Sequence, residues 1–554
     1  RSWPPSKRKR GSFVPVEMTM SLGPLADAVE ARLAGWESEG MARRIWAKDP
    51  TVWAETDLPE LTDRLGWLSL PEEMAAAVSD LEGFAGEIAN EGIRFVVLLG
   101  MGGSSLAPEV FQSTFGNAAG HPELIVLDST HPGAVQAVDA RIELADTLFI
   151  VASKSGTTLE TLSFFRYFCN RLVQDGLPQG EHFVALTDPG SALEDLAAER
   201  GFRRVFSTPP GVGGRYSALT YFGLVPAALI GADVAAILSA AAVTAAACRG
   251  SAHDNPGLQL GAAWGEAALA GRDKLTVVTS PGLAAFPNWL EQLIAESTGK
   301  DGTGIVPVAG EDLAEPDGYG DDRLFLSYQL AGEAAPELDA LANAGHPVLS
   351  VALQSPEELG AAMFAAEVAT AAAGAVLGIH PFNQPDVQVA KELARQAMAG
   401  ELGGGAPIEA TDPTDATRLA GWLAALPERA YIGISGYVPM TAGAVELLQG
   451  LRHHLRHLTG AATTVGFGPR FLHSTGQLHK GGPGAALFLQ LVDEPSPDVA
   501  VPETDFTFGR LVAGQAEGDY RALEDRGQTV MRVQLGADWP AGLETLLDTV
   551  SSLA

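Results

Sequence analysis

The chain has 554 residues, too many for one hydrophobic core, so we expect two main domains with extensions. Its 68 acidic and 36 basic side chains give a formal net charge of -32, which disfavours binding to nucleic acid or to anionic membranes. The two cysteines, Cys169 and Cys248, lack disulfide or metal-site spacing and indicate buried thiols in a reducing compartment, expected to be the cytoplasm.

The N-terminal part precedes any strand pattern. Residues 1–21 begin with RSWPPSKRKRGSF and are predicted to form a disordered basic tail, not a secretory signal. Residues 22–90 have the apolar spacing of helices. A first series of short apolar runs then follows at 94–100, 123–128, 147–153 and 182–188. Apolar runs separated by helical segments are typical of parallel strands covered on both faces.

A second series of apolar runs lies further along the chain, at 274–280, 323–330, 346–353 and 431–437. We therefore predict an α/β protein with two α-β-α sandwich domains, residues 91–250 and residues 251–554 with a C-terminal extension. The Ala-rich stretch 222–248 contains Pro226 and Asp233, so we predict buried helices there, not a membrane span.

Glycines and hydroxyl side chains follow two strands of the first series. They are Gly103 and Ser104 in GMGGSSLAPEV after the first strand, and Ser153, Ser155, Thr158 and Thr161 in SKSGTTLET after the third. Because the carboxyl ends of parallel strands share one edge of a sheet, we expect the two loops to meet. Neutral donors of this kind can bind a phosphate group. A turn that only caps the next helix is the simpler alternative.

The first loop also raises the alternative of a dinucleotide site. Asp128 ends the next strand, where such folds place an acid that binds ribose. However, a G-x-G-x-x-G motif needs a third glycine at position 105, and Ser105 stands there. We therefore favour a compact phosphate over a nicotinamide cofactor.

Several segments together resemble the phosphoglucose isomerase family, which is built from two sugar-isomerase (SIS) domains. They are GMGGSSLAPE, SKSGTTLET, GVGGRYS (211–217), AESTGK (295–300), HPFNQPDVQVAK (380–391) and LHSTGQ (472–477). The resemblance spans roughly residues 90–510. In addition, MARRIWAKDPTVW resembles the linker of isomerases fused behind a transaldolase. With no room upstream for that barrel, transaldolase activity is not expected.

The resemblance implies reversible isomerisation of glucose 6-phosphate and fructose 6-phosphate through ring opening and a cis-enediol, with no metal or redox cofactor. It assigns the proton shuttle to Glu296 and stabilisation of the enediolate to Arg215. It assigns ring opening to Lys391 and His473, and it implies that Gln384 contacts the substrate. The phosphate group would lie among the glycine and hydroxyl residues of the two loops. A homodimer is the implied assembly.

The order of the motifs departs from the family. There the histidine segment lies between the glutamate and lysine segments and is supplied across the dimer interface, whereas here the order is Glu296, Lys391, His473. Two outcomes are open: a rearranged second domain delivers His473 to the same place, or ring opening depends on Lys391. His479 and Lys480 are expected in a surface position or a loop.

Two other functions are compatible with these residues. One is an isomerase that also accepts mannose 6-phosphate. The other is a non-catalytic phosphosugar-binding regulator, which would need the hydroxyl loops but not Glu296, Arg215 and Lys391 together. The sequence contains no DNA-binding motif or basic patch that would accompany such a regulator.

Overall fold

The computed structural model describes residues 13–333, 335–399, 408–484 and 486–553. From residue 13 to residue 90 the chain contains one strand and four α-helices: β1 (Glu17–Ser21), α1 (Ala26–Glu39), α2 (Met41–Trp46), α3 (Leu70–Ala75) and α4 (Val78–Asn90). The helical character predicted for residues 22–90 is therefore present. Residues 17–21, expected in a disordered tail, instead form β1, because their backbone pairs with the edge of a sheet formed much later in the chain.

The first sheet has five parallel strands in the order β3-β2-β4-β5-β6. Its elements are β2 (Phe95–Gly100), α5 (Leu106–Phe115), β3 (Glu123–Leu127), α6 (Pro132–Arg141), β4 (Thr147–Ala152), α7 (Leu159–Gln174), β5 (Phe183–Thr187), α8 (Ala192–Arg200), β6 (Arg204–Ser207), α9 (Tyr221–Leu229) and α10 (Val234–Ala247). Because β2 and β4 are neighbours in register, the two hydroxyl-rich loops leave the same edge of the sheet side by side.

The second sheet has the order β1-β10-β9-β7-β8, and only its edge strand β1 is antiparallel. Its further elements are α11 (Pro256–Leu269), β7 (Lys274–Thr279), α12 (Phe286–Thr298), β8 (Val306–Ala309), β9 (Arg323–Leu330), α13 (Pro336–Asn343), β10 (Val348–Leu353), α14 (Leu359–Leu377) and α15 (Pro385–Ala399). Helix α12 begins just after β7 and carries the AESTGK motif at its end.

The most apolar helices lie inside the protein. The segment Pro356–Leu377 is long and apolar enough to cross a membrane, but 89% of its most apolar window is buried within the described chain. Helix α11 packs against it through glycines: a Cβ atom on Gly261 would lie 2.6 Å from the Cβ of Ala372. The Ala-rich stretch 222–248 forms α9 and α10, whose apolar side chains are largely buried, as predicted.

A third sheet of four parallel strands lies in the C-terminal part, in the order β12-β11-β13-β14. Its elements are α16 (Ala416–Leu423), β11 (Tyr431–Tyr437), α17 (Ala442–Thr459), β12 (Ala462–Phe467), α18 (Gly476–Gly481), β13 (Ala486–Asp493), α19 (Phe508–Asp525), β14 (Thr529–Gly536) and α20 (Trp539–Ser551). The strand at 431–437, expected in the second sandwich, belongs to this sheet. An apolar run indicates a strand but not its pairing partners. The predicted α/β class with parallel sheets is confirmed, whereas the boundaries at 90 and 250 stay predictions.

The segment from the end of β13 to the first residue of α19 attaches the third sheet to the first. Val501 and Phe508 are buried in the core beneath the first sheet, where the ring of Phe508 stacks on Phe164 with centroids 5.9 Å apart. Nearby, His131 Nε2 lies 2.9 Å from Asp493 Oδ2. The loop between β12 and α18, where the LHSTGQ motif begins, is held at the first sheet by Arg470, which pairs with Glu109 and Asp128.

Candidate active site

A cleft of about 720 Å³ opens at the carboxyl edge of the first sheet. Most of the predicted site residues line it: Gly103, Ser104, Ser153, Ser155, Thr158, Arg215, Glu296, Gln384 and His473. They come from all three sheet regions, and the sequence separates the outermost of them, at 103 and 473, by 370 positions. The fold thus brings the scattered motifs into one cavity.

The loop after β4 forms a network of hydroxyl groups at one end of the cleft. The Ser153 and Thr158 hydroxyls lie 2.9 Å apart, and Ser153 Oγ accepts a hydrogen bond from the Gly156 amide. Thr158 is the N-cap residue of α7, yet its side chain makes no capping hydrogen bond. The hydroxyls are therefore not used as helix caps, and the start of α7 presents amide donors beside them, which is favourable for an anion.

The glycines of the first loop allow two backbones to touch. A Cβ atom on Gly103 would lie 2.1 Å from the Gly214 carbonyl oxygen, so only glycine fits where the loop after β2 meets the GGRYS segment. Gly102 adopts φ +54° and faces the His473 carbonyl, 2.6 Å from the position of a Cβ atom. The glycine motifs thus allow the Arg215 and His473 segments to approach the first sheet.

Thr161 does not join the cradle. It lies in the first turn of α7, is fully buried, and does not line the cleft. Within the part of the chain that the structure describes, its hydroxyl has no hydrogen-bond partner. The structure thus separates Thr161 from Ser153, Ser155 and Thr158.

Arg215 is held rigidly beside Glu296. Its Nε donates to Ser297 Oγ at 2.8 Å, and its Nη2 donates to the carbonyl oxygens of Pro381 at 2.7 Å and Asn383 at 3.1 Å. The remaining nitrogen, Nη1, lies 3.7 Å from Glu296 Oε2, and both side chains are almost completely buried. Among the described residues Nη1 has no hydrogen bond. A fixed cation with one free donor therefore lies next to a carboxylate.

Gln292 links Glu296 to the histidine loop and was missed by the sequence analysis. It precedes Glu296 by one turn of α12, and its Nε2 lies 3.3 Å from Glu296 Oε2 and 2.8 Å from the His473 carbonyl oxygen. The i, i+4 spacing on one helix is the signal that could have identified it.

His473 lies in the cleft within the same chain as Glu296. Its Nε2 is 2.9 Å from Glu160 Oε1, and Gln515 Nε2 donates to the same oxygen at 2.7 Å. Thr130 in turn donates to Gln515 Oε1 at 2.7 Å. A buried carboxylate thus fixes the imidazole orientation, and His473 lines the same cleft as Glu296, while its role in ring opening stays a prediction. Glu160, within the quoted SKSGTTLET, was overlooked.

The neighbouring His479 and Lys480 were expected in a surface position or a loop, and this was wrong. Both are buried in α18. The His479 ring lies among Phe471, Phe488 and Tyr431, and burial holds its pKa well below the usual value. Lys480 Nζ lies 2.7 Å from Asp519 Oδ1. The carboxylate offsets the cost of burying the lysine, and a local sequence pattern does not show this distant partner.

The HPFNQP loop forms another part of the cleft wall. Gln384 lines the cleft, and the loop is held by Lys300, whose buried ammonium donates to the His380 carbonyl oxygen at 2.6 Å. Burial and the nearby Arg215 charge hold the pKa of Lys300 well below its usual value. Lys391 belongs to α15, and its side chain lies outside what the structure describes.

The geometry disfavours the dinucleotide alternative. Asp128 is buried and lies 3.3 Å from Arg470 Nη1, while the other end of that guanidinium pairs with Glu109. Asp128 does not line the cleft. Its carboxylate is therefore used to attach the LHSTGQ segment to the first sheet.

The described residues contain no group of three or more His, Cys, Asp or Glu side chains that could hold a metal ion. Cys169 and Cys248 are both buried and unpaired with each other. The polar groups that line the cleft are thus hydroxyl groups, amides, two carboxylates, two imidazoles, two guanidinium groups and the Lys154 ammonium.

Comparison with known proteins identifies the family. The family model described as phosphoglucose isomerase matches residues 75–308. A probable glucose-6-phosphate isomerase of Natronomonas pharaonis is 31% identical over 366 residues, covering 58% of this chain and 82% of the relative. The glucose-6-phosphate isomerase of Rubrobacter xylanophilus is 29% identical over 424 residues, covering 67% and 95%.

Two solved structures share the fold. A hypothetical protein of Thermus thermophilus superposes with a TM-score of 0.61 at 26% identity, covering 70% of this chain and 100% of the other. A glucose-6-phosphate isomerase of Chlamydia trachomatis shares the fold, with a TM-score of 0.57 at 21% identity over 70% of this chain and 89% of the other. From its motifs, its fold and these relatives, the chain belongs to the phosphoglucose isomerase family.

Proposed function

We propose that this chain is a glucose-6-phosphate isomerase, which interconverts glucose 6-phosphate and fructose 6-phosphate. The observation that carries the proposal is the buried pair of Glu296 and Arg215, 3.7 Å apart, in the same cleft as the hydroxyl cradle. A phosphosugar-binding regulator would need the cradle, but it would have no use for a fixed cation beside a buried carboxylate. The glucose-6-phosphate isomerases among the relatives support the same reaction.

The first step is ring opening. A proton leaves the anomeric hydroxyl, the bond from C1 to the ring oxygen breaks, and the ring oxygen gains a proton. His473, oriented by Glu160, is positioned as the acid/base group for this exchange. We assign Lys391 to the same step by its motif. Meanwhile the phosphate group is held by Ser153, Ser155 and Thr158.

The second step moves one proton between neighbouring carbons. The Glu296 carboxylate takes the proton from C2, the electron pair forms the C1–C2 double bond, and the carbonyl oxygen at C1 gains negative charge. Arg215 Nη1, the donor without a hydrogen bond among the described residues, stabilises that charge as it develops. The hydroxyl proton on the C2 oxygen then passes to the C1 oxygen, Glu296 returns its proton to C1, and the C2 oxygen becomes the carbonyl oxygen of the ketose. Gln384, which also lines the cleft, contacts the sugar chain.

The assembly and location are part of the proposal. We assign the protein to the cytoplasm, since its two cysteines are buried thiols, and we assign it a homodimeric assembly by its resemblance to the family. Glu296 and His473 of the same chain line one cleft, so in a homodimer the partner subunit need not supply the histidine. Glucose 6-phosphate is the proposed substrate in preference to mannose 6-phosphate.

The test is isomerisation of fructose 6-phosphate, with glucose 6-phosphate detected through a coupled dehydrogenase in the presence of EDTA. Glu296→Gln should lower kcat by about 10²–10⁴-fold, the usual contribution of a general base. His473→Ala should slow turnover as well, and Glu266→Gln, outside the cleft, is the matched control. Binding of fructose 6-phosphate without turnover in the parent protein would show a regulator and refute the proposal.

A further inference from the structure

A turn in the N-terminal part forms the rim of the cleft beside the phosphate cradle. Leu58, Pro59, Glu60 and Arg64 line the cavity together with Ser153, Lys154 and Ser155. These four residues precede the segment matched by the family model, which begins at residue 75. No sequence motif predicts a function for them.

The turn is anchored to the loops of the site. Leu65 forms an antiparallel bridge with Val212, and the Gly66 amide donates to the Gly211 carbonyl oxygen at 2.9 Å. On the other side, His380 Nε2 lies 3.0 Å from the Pro59 carbonyl oxygen. Residues 59–66 are therefore fixed between the GGRYS segment and the HPFNQP loop, so the Arg64 backbone has a defined position in the site.

The Arg64 side chain is less constrained than its backbone. Its Nη2 lies 2.9 Å from Glu60 Oε1, and 31% of the arginine side chain and 45% of the glutamate side chain are exposed. Among the described residues this is the one ion pair that Arg64 makes. An exposed pair of this kind is weak and exchanges readily for a stronger anion.

The other cation at the cradle is already engaged. Lys154 Nζ lies 2.5 Å from Asp188 Oδ2, and Asp188 Oδ1 also accepts a hydrogen bond from Thr208. Burial lowers the pKa of Lys154, Asp188 raises it, and the positive charge of Arg64 lowers it further. Arg64 therefore lies close enough to Lys154 for the two charges to repel, and an anion between them would relieve that repulsion.

We propose that Arg64 is a substrate-binding residue: its guanidinium leaves Glu60 and binds the phosphate group held by the Ser153–Ser155 loop. This inference rests on the proposed function for the identity of the phosphosugar. A guanidinium can donate two parallel hydrogen bonds to phosphate oxygens. A carboxylate can accept the same bonds, but it carries less negative charge than a phosphate group and therefore binds the guanidinium less strongly. In a chain with a net charge of -32, such a local cation also helps to attract an anionic substrate.

The experiment measures binding of inorganic phosphate by calorimetry and kinetics with fructose 6-phosphate, on the full chain. Arg64→Gln should weaken phosphate binding by about 10–100-fold, the loss expected for a charged hydrogen-bonding partner. KM for fructose 6-phosphate should rise by a larger factor than kcat falls. Arg64→Lys should recover part of the affinity, and Glu60→Gln should bind phosphate at least as tightly as the parent.

Arg44→Gln is the matched control, because Arg44 lies in the same N-terminal part, is similarly exposed and pairs with Asp49, but does not line the cleft. A phosphate Kd for Arg64→Gln within twofold of the parent value would overturn the inference. The phosphate measurement does not depend on turnover. A parent protein that binds phosphate without isomerising would therefore refute the proposed function while leaving the Arg64 assignment open to the same test.

Discussion

Gln292 provides the sharpest test of how the site holds its base. Replacing it by leucine keeps a similar volume but removes the amide that lies 3.3 Å from Glu296 Oε2 and 2.8 Å from the His473 carbonyl oxygen. A hydrogen bond to a charged group is worth about 1.5–3 kcal/mol and a neutral one about 1 kcal/mol. The 3.3 Å contact is long, so we take the lower value for it.

The two losses sum to about 2.5 kcal/mol, which corresponds to a decrease in kcat/KM on the order of 50-fold. Most of the decrease should appear in kcat, because the hydroxyl cradle does not depend on Gln292. Steady-state kinetics with fructose 6-phosphate measures both parameters. Gln112→Leu is the control, since the Gln112 side chain also forms a hydrogen bond with the backbone but lies away from the cleft. A kcat for Gln292→Leu within threefold of the parent would refute the positioning argument.

Three further predictions concern stability and assembly. Phe508→Ala should destabilise the chain by about 3–5 kcal/mol in chemical denaturation, as expected for emptying a buried aromatic site, whereas Val173→Ala at an exposed position should have little effect. Burial raises the pKa of Glu291 to about 8, so this group costs stability increasingly as pH rises from about 4.5 to about 8. Glu291→Gln should therefore raise Tm at pH 8 more than at pH 5, and an equal change at both would contradict this. Finally, Glu296→Gln and His473→Ala chains expressed together should not restore activity, because both residues act within one chain; restored activity would indicate exchange between subunits.

The first sheet could be predicted from the sequence because its signals are local. The runs at 94–100, 123–128, 147–153 and 182–188 are continuous and apolar, and β2, β3, β4 and β5 occupy them within one or two residues. The edge strand β6 was missed because Arg204–Ser207 is short and only partly buried. Pairing was harder to predict than strand position, since β1 finds its partner β10 more than 300 residues away.

Some of the site residues could likewise be predicted from local sequence, and others could not. Ser153, Glu296 and Arg215 lie in short motifs whose residue types indicate their chemistry, so their place in the site was predicted. Glu160 and Gln292 act through a partner on another segment, His473, so a sequence motif alone did not distinguish them from ordinary helix residues. His479 shows the converse, because its polar sequence context suggested exposure while three aromatic rings bury it.

The altered motif order has a physical explanation in the third sheet. All three sheets are mainly parallel, and each presents its loops at the carboxyl ends of the strands, so a side chain can reach the cleft from any of them regardless of its place in the sequence. What fixes His473 is instead the attachment of its segment, through Arg470 to Glu109 and Asp128, and through the buried Phe508. The position of the histidine therefore depends on contacts between sheets, whereas Glu296 and Arg215 are held mainly by α12 and the loops around it. Weakening the contacts of Arg470 or Phe508 should therefore slow ring opening more than it slows the proton transfer between C2 and C1.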